Sequence, residues 1–168
     1  MSSQVLAYVI LSAVAVQRIG ELVLARRNTA RLLASGGIEV GARHYPLFVL
    51  LHGSWLLALL FWVSKVDAPV SWPLIGVFVV LQLGRVWVLA TLGPYWTTRI
   101  ISIPDRPLIT NGPYRLVRHP NYWIVVGEIA VLPLAFGSWP IAIVFSLLNA
   151  VLLRHRIRVE DSALNERR

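Results

Sequence analysis

Residues 70–92 read VSWPLIGVFVVLQLGRVWVLATL, and this run decides the class of fold. A helix needs about 20 mainly apolar residues to cross the roughly 30 Å hydrocarbon core of a bilayer. Val70 to Leu92 meets that length with one charge, Arg85, and one amide, Gln82. Upstream, Tyr45 to Val63 is a second such run, interrupted only by His52. Gln4 to Val16 is another, and its helix is expected to continue past Arg18 and Glu21 towards Arg26. Downstream, Tyr122–Phe136 and Trp139–Leu153 flank Gly137-Ser138-Trp139-Pro140, a strong turn signal. Each half is short for a full span, so a helical hairpin that crosses and returns is predicted, with a partly re-entrant pair as the alternative. The expected fold is an all-α integral membrane protein of about five transmembrane helices.

Composition agrees with this class. The chain has 168 residues, 57% hydrophobic and 14% charged, with mean hydropathy +0.66. Soluble domains carry roughly 45–50% apolar and about 25% charged residues. A disordered tail, a fibrous repeat and a disulfide scaffold are excluded, the last because cysteine is absent. The net charge of +8 would suggest nucleic acid in a soluble protein, so the placement of the arginines matters. Arg18, Arg26, Arg27, Arg31 and Arg43 follow the first run. Arg99, Arg106, Arg115 and Arg118 lie between the third and fourth, and Arg154, Arg156, Arg158, Arg167 and Arg168 follow the last. The opposite loops carry only Lys65 with Asp67 beside it. An N-terminus outside and a C-terminus in the cytoplasm put nearly every cation on the inner face, so the charge reads as topology and no nucleic-acid partner is expected. The first run lacks a basic n-region and a small-residue cleavage site and is read as a retained helix.

The longest segment outside these runs, Gly93 to Pro120, holds Pro94, Pro104, Pro107, Pro113 and Pro120, and long loops in compact domains are more often functional than idle. It ends in the densest cluster of chemistry, Gly112-Pro113-Tyr114-Arg115-Leu116-Val117-Arg118-His119-Pro120-Asn121-Tyr122-Trp123. Pro120 suits the first turn of a helix, and Arg118, His119 and Tyr122 can converge on that helix N-terminus, which favours anionic groups. The same residue types would also serve as an interfacial anchor. Arg156 and Glu160, spaced i,i+4, share one helical face. They can hold both ends of a zwitterion or form a surface ion pair worth under about 1 kcal/mol. Glu128 falls within an apolar run, where a carboxylate costs on the order of 2.5–3.5 kcal/mol, so it should face the bundle interior with a partner. It could orient an acceptor hydroxyl, take its proton, or pair with Arg85. Gln82 reads as interhelical glue, and Arg18 with Glu21 as a structural pair. His44, His119 and His155 lack metal-ligand spacing, so no metal site is expected. No G-x-G-x-x-G follows a strand, which leaves no soluble-type dinucleotide site.

The order of these residues closely resembles the signature of the isoprenylcysteine carboxyl methyltransferase family. Its pattern runs G-P-Y-x-x-x-R-H-P-x-Y-x-G, then a helical hairpin, then R-x-x-x-E-[ED]. Here Gly112-Pro113-Tyr114 precedes Arg118-His119-Pro120-Asn121-Tyr122, the hairpin follows, and Arg156-Ile157-Arg158-Val159-Glu160-Asp161 closes the match, from about Leu92 to Leu164. Taken with the apolar runs, this points to one membrane domain over residues 1–168. Residues 1–91 would form three membrane helices, and residues 92–168 a cofactor-binding loop, the hairpin and a cytoplasmic C-terminal helix. The resemblance implies S-adenosylmethionine as cofactor, held by Arg118, His119, Pro120, Tyr122, Arg156 and Glu160; Glu128 and Arg85, from their place within apolar runs, and His119 are the candidates for catalysis. One position departs: the family glycine two residues after the tyrosine is Ile124.

The whole chain looks like a bacterial branch found beside type III polyketide synthases, whose members O-methylate long-chain alkylpyrones. Leu92-Gly93 with Trp96-Thr97-Thr98-Arg99, and Arg26-Arg27-Asn28 with His44-Tyr45-Pro46, carry that likeness. The expected acceptor is therefore a lipophilic small molecule, alkylpyrone-like or an isoprenylcysteine-like carboxylate, met in the lipid of a bacterial plasma membrane. Two other readings stand beside it: a membrane sterol-reductase-like enzyme using NADPH, and a small transporter subunit with Arg85 and Glu128 lining its pathway.

Overall fold

The computed structural model describes residues 2–67, 70–104 and 107–165, without the side chains of 164 and 165. Arg106, Arg167 and Arg168, counted above among the cations, lie outside the described residues. Helices α1 (Ser3–Ala34), α2 (Tyr45–Lys65), α3 (Trp72–Leu92), α4 (Pro120–Ala135) and α5 (Trp139–Asn165) run back and forth between two ends of a bundle. Ser2 caps α1 by accepting the Val5 N–H on its hydroxyl, and proline stands in the first turn of α2, α3 and α4, where a missing N–H costs nothing.

Four of these helices, α1, α2, α3 and α5, are long and apolar enough to cross a membrane. At 1.5 Å per residue, the 16 residues of α4 reach only about 24 Å, short of a roughly 30 Å core. Of the two halves expected to be short, only α4 is, because it begins at Pro120 and stops at the Gly137 turn, while α5 reaches full length. That turn has φ +69°, a left-handed conformation that glycine adopts without steric cost. The C-terminal part also differs from expectation. In place of a hairpin arm followed by a separate helix, α5 is continuous for 27 residues, since no glycine or proline interrupts Leu153 to Asn165. Likewise α1 runs on past Arg26 to Ala34.

At one end of the bundle, Gln4 donates to the Val63 carbonyl (2.9 Å), Ser71 N–H to the Ala135 carbonyl (2.9 Å), and Trp62 Nε1 to the Phe136 carbonyl (3.0 Å). Between the ends lies a core of Leu11, Trp55, Leu59, Ile129, Leu132 and Phe136. The outward faces remain apolar, as Val16, Leu57, Val80 and Val151 show, which suits lipid rather than water. Helices α3 and α4 approach closely through a reciprocal exchange. Ile124 packs against Gly84, and Leu81 packs against Gly127, whose missing Cβ would lie 2.9 Å from a Leu81 methyl. The family glycine replaced by Ile124 is therefore matched by a glycine on the facing helix, the small-residue contact membrane helices favour.

At the opposite end, β1 (Ile38–Val40) and β2 (Ile100–Ser102) pair antiparallel, Glu39 opposite Ile101. Three-residue strands leave no periodicity to read, so this ribbon was not anticipated. It ties the segment after α1 to the loop after α3. The described arginines after α1, between α3 and α4, and late in α5 all gather at this end.

Candidate active site

The loop after α3 is fastened from α1. Buried Asn28 donates from Nδ2 to the carbonyls of Gly93 (3.1 Å) and Trp96 (2.8 Å). Farther on, Gly112 adopts φ +56° against Thr91, and a Cβ there would stand 2.6 Å from the threonine hydroxyl. The 3-10 turn Gly112–Arg115 follows, and His119 occupies the N-cap of α4 just before Pro120. The His119 ring stacks on Tyr122, centroids 5.3 Å apart and planes 22° from parallel.

Against this corner α5 brings Arg156 and, one helical turn on, Glu160 and Asp161. Arg156 is buried, donating from Nε to the Tyr122 hydroxyl (2.8 Å) and from Nη2 to the Thr98 carbonyl (2.8 Å). Its guanidinium also lies over the Phe48 ring, 5.2 Å from the centroid. The Tyr122 hydroxyl in turn donates to Glu160 Oε2. His119 Nε2 meets Asp161 Oδ1 at 3.2 Å. Five side chains of the two sequence motifs, His119, Tyr122, Arg156, Glu160 and Asp161, thus form one chain of contacts across 34 to 42 residues of sequence.

His119, Arg156, Glu160 and Asp161 face a cavity of about 500 Å³, within the roughly 300–1,000 Å³ typical of small-molecule sites. Arg99, Arg118, His119, Arg156, Glu160 and Asp161 supply its polar lining, and Leu32, Leu92, Ile101, Leu108 and Ile109 its apolar part. Arg99 is held by Glu39 (2.8 Å) and lies over the Tyr45 ring at 4.7 Å. Burial and the Glu160 charge push the Tyr114 phenol up from its usual range, so it stays protonated and can donate into the cavity. Arg118 is exposed on the rim.

A second set of charges lies deeper. Glu128 Oε1 accepts from Arg85 Nε (2.9 Å) and Gln82 Nε2 (2.7 Å), and Oε2 from Arg18 Nη2 (2.6 Å) and Arg85 Nη2. Glu21 accepts from Arg18 (2.8 Å), Arg85 (3.3 Å) and Gln17 (2.9 Å), and Gln17 also reaches Gln82 (2.8 Å). Two cations and two carboxylates from α1, α3 and α4 cancel in charge at a level nine residues, about 13 Å, along α4 from His119.

The structure therefore brings Arg118, His119, Arg156 and Glu160 to one cavity, with Tyr122 behind its wall bonded to Arg156 and Glu160, and Pro120 buried at the start of α4. Arg85 and Glu128 are not brought there: they meet each other in the deeper network, and neither lines the cavity. The Arg18–Glu21 pair forms as read from its spacing, though Arg18 also reaches Glu128, a contact no local spacing could signal. Sequence reasoning missed Asn28, Thr98 and Tyr114 as parts of the site. Asn28 and Thr98 act through backbone carbonyls, which leave no mark in side-chain patterns.

The comparisons with known proteins fall on the same residues. The chain matches the model of the isoprenylcysteine carboxyl methyltransferase (ICMT) family over residues 74–166, which holds both motifs, α4, α5 and nearly all of α3. It is 38% identical over 162 residues to the uncharacterized protein YpbQ of Bacillus subtilis, covering 95% of this chain and 96% of that one. An uncharacterized protein of Haemophilus influenzae is 27% identical over 154 residues, 88% of each chain. The cobalt-zinc-cadmium resistance protein CzcN of Cupriavidus metallidurans is 36% identical over 111 residues, 65% of this chain and 49% of that protein. No solved structure matches. With its apolar helices and the match across both motifs, the chain is an integral membrane protein that belongs to the isoprenylcysteine carboxyl methyltransferase family.

Proposed function

We propose that this protein is an S-adenosylmethionine-dependent methyltransferase that methylates an oxygen of a lipophilic acceptor at the cytoplasmic boundary of a bacterial plasma membrane. The observation that carries the reading is the convergence of both family motifs on one cavity, through Arg156, Tyr122, Glu160, His119 and Asp161. The cavity suits the cofactor in size, in its apolar wall and in holding charges of both signs. Bound there, S-adenosylmethionine would supply a methyl group on a cationic sulfur, already activated for transfer.

The protein's part is then chiefly alignment, which can account for roughly 7–11 kcal/mol of a barrier. Arg156 and Arg118 are the groups to hold a carboxylate, and Glu160 the group to hold an ammonium. Pro120 fixes the start of α4, and the Tyr122 hydroxyl sets Arg156 and Glu160 relative to each other. An acceptor such as an acidic enol or a carboxylate arrives ionised and needs no base. For a neutral hydroxyl, His119 is the candidate base on the cavity wall. Arg85 and Glu128, spent on each other and on Arg18, are assigned to holding α1, α3 and α4 in register rather than to contact with substrate. The arginine-rich end faces the cytoplasm, from which a polar cofactor enters, while an alkyl chain reaches the rim through lipid. An alkylpyrone-like polyketide fits these demands.

Calorimetry on the detergent-purified protein tests the reading. S-adenosylhomocysteine should bind at micromolar concentration and NADPH should not. No binding of S-adenosylhomocysteine overturns the proposal, and binding of NADPH instead supports a reductase.

A further inference from the structure

Asp161 closes the second family motif, yet the reading above gives it no task. It stands on α5 one residue beyond Glu160, with its side chain 39% exposed at the cavity wall. Among the described residues the His119 ring makes one hydrogen bond, from Nε2 to Asp161 Oδ1 at 3.2 Å. An ionised carboxylate only accepts hydrogen bonds, so the nitrogen that meets it must carry the proton. In a neutral imidazole the other nitrogen then holds a lone pair. That nitrogen, Nδ1, is 3.9 Å from Glu160 Oε2, beyond hydrogen-bond distance, and this oxygen already accepts the Tyr122 hydroxyl. Stacking on Tyr122 fixes the plane of the ring. Among the described residues Nδ1 has no hydrogen-bond partner, and the His119 ring lines the cavity.

We infer that Asp161 is a positioning residue for His119, holding the imidazole as the Nε2–H tautomer and presenting the Nδ1 lone pair to the acceptor. The inference rests on the methyltransferase reading. With a neutral hydroxyl acceptor, the O–H bond breaks and its proton goes to Nδ1. The acceptor oxygen forms the O–CH3 bond as the C–S bond of the sulfonium donor breaks, its electron pair passing to sulfur. Asp161 then faces an imidazolium and stabilises it, as a buried carboxylate orients a catalytic histidine elsewhere.

The test uses the full-length protein in detergent with 15N-labelled histidine, the His119 signals being identified by their loss in H119Q. The wild type should show the Nε2–H tautomer. D161N offers an amide that can donate or accept, so an Nδ1–H population should appear, with kcat lowered about ten- to hundred-fold and the cofactor KM within about two-fold. D161E, which restores a carboxylate, should recover the tautomer and part of the rate. An unchanged tautomer in D161N, or a raised KM with kcat intact, overturns the inference. Failure of the parent reading looks different: the wild type would then neither bind S-adenosylhomocysteine nor transfer methyl, whatever the tautomer.

Discussion

Two clusters of arginine and glutamate occupy this protein, and they are finished to different degrees. In the network within the bundle, Glu128 is 1% exposed and both its oxygens accept twice, from Arg85, Gln82 and Arg18. At the rim, Glu160 has one oxygen engaged by Tyr122, its side chain is 25% exposed, and His119 keeps an unspent nitrogen beside it. The first cluster has cancelled its charge and lies apart from the cavity. The second is held in place from outside, by Thr98, Phe48 and the Asn28-fastened loop, and keeps capacity to bind. Burial alone therefore does not mark a working site. Charges that satisfy one another hold helices together, and charges pinned by neighbours but left incomplete can take a ligand.

Substitutions can break this contrast or sharpen it. The largest effect is expected from E128L, which strands Arg85 and part of Arg18 in a buried site and should cost about 3–5 kcal/mol. Thermal unfolding in detergent reads it, and R85M/E128L, which removes the pair together, should recover much of the loss. If the double variant is as unstable as the single, the network is not a closed charge set. N28A should come next, at about 1–3 kcal/mol, because two loop carbonyls lose their donor. Its melting shift should be accompanied by weaker S-adenosylhomocysteine binding, since the loop carries the Thr98 carbonyl that holds Arg156. Y122F should be mildest for stability, about 1 kcal/mol or less, yet should weaken that binding at least as much as N28A does. A Y122F variant as unstable as E128L, with binding unaltered, would erase the distinction between the two regions.

Much of this arrangement was legible in residue order. The i,i+4 spacing of Arg156 and Glu160 and the Arg118-His119-Pro120-Asn121-Tyr122 string identified the rim, because a helix face and a helix start are local features. Glu128 announced that it needed a partner, since an apolar run makes an unpaired carboxylate costly, and Arg85 was the right candidate. Arg18 as the second partner was not legible, for its 110-residue separation from Glu128 belongs to helix packing. Nor was the role of Asn28, which reaches backbone carbonyls that every sequence possesses.

The sequence by itself determined the solvent and the class of fold. Apolar runs long enough to span, broken by a Gly137 turn and flanked by arginines, leave a helical membrane protein as the consistent answer. It also singled out Arg118, His119, Tyr122, Arg156, Glu160, Arg85 and Glu128 as the candidates for chemistry. Only the tertiary structure decided how those residues divide. The short α4 and the unbroken α5 bring His119 and Tyr122 level with Arg156, Glu160 and Asp161, while Glu128, two and a half turns deeper, falls among Arg85 and Arg18. Helical rise and crossing set those depths, and they come from contacts between segments that no local pattern records.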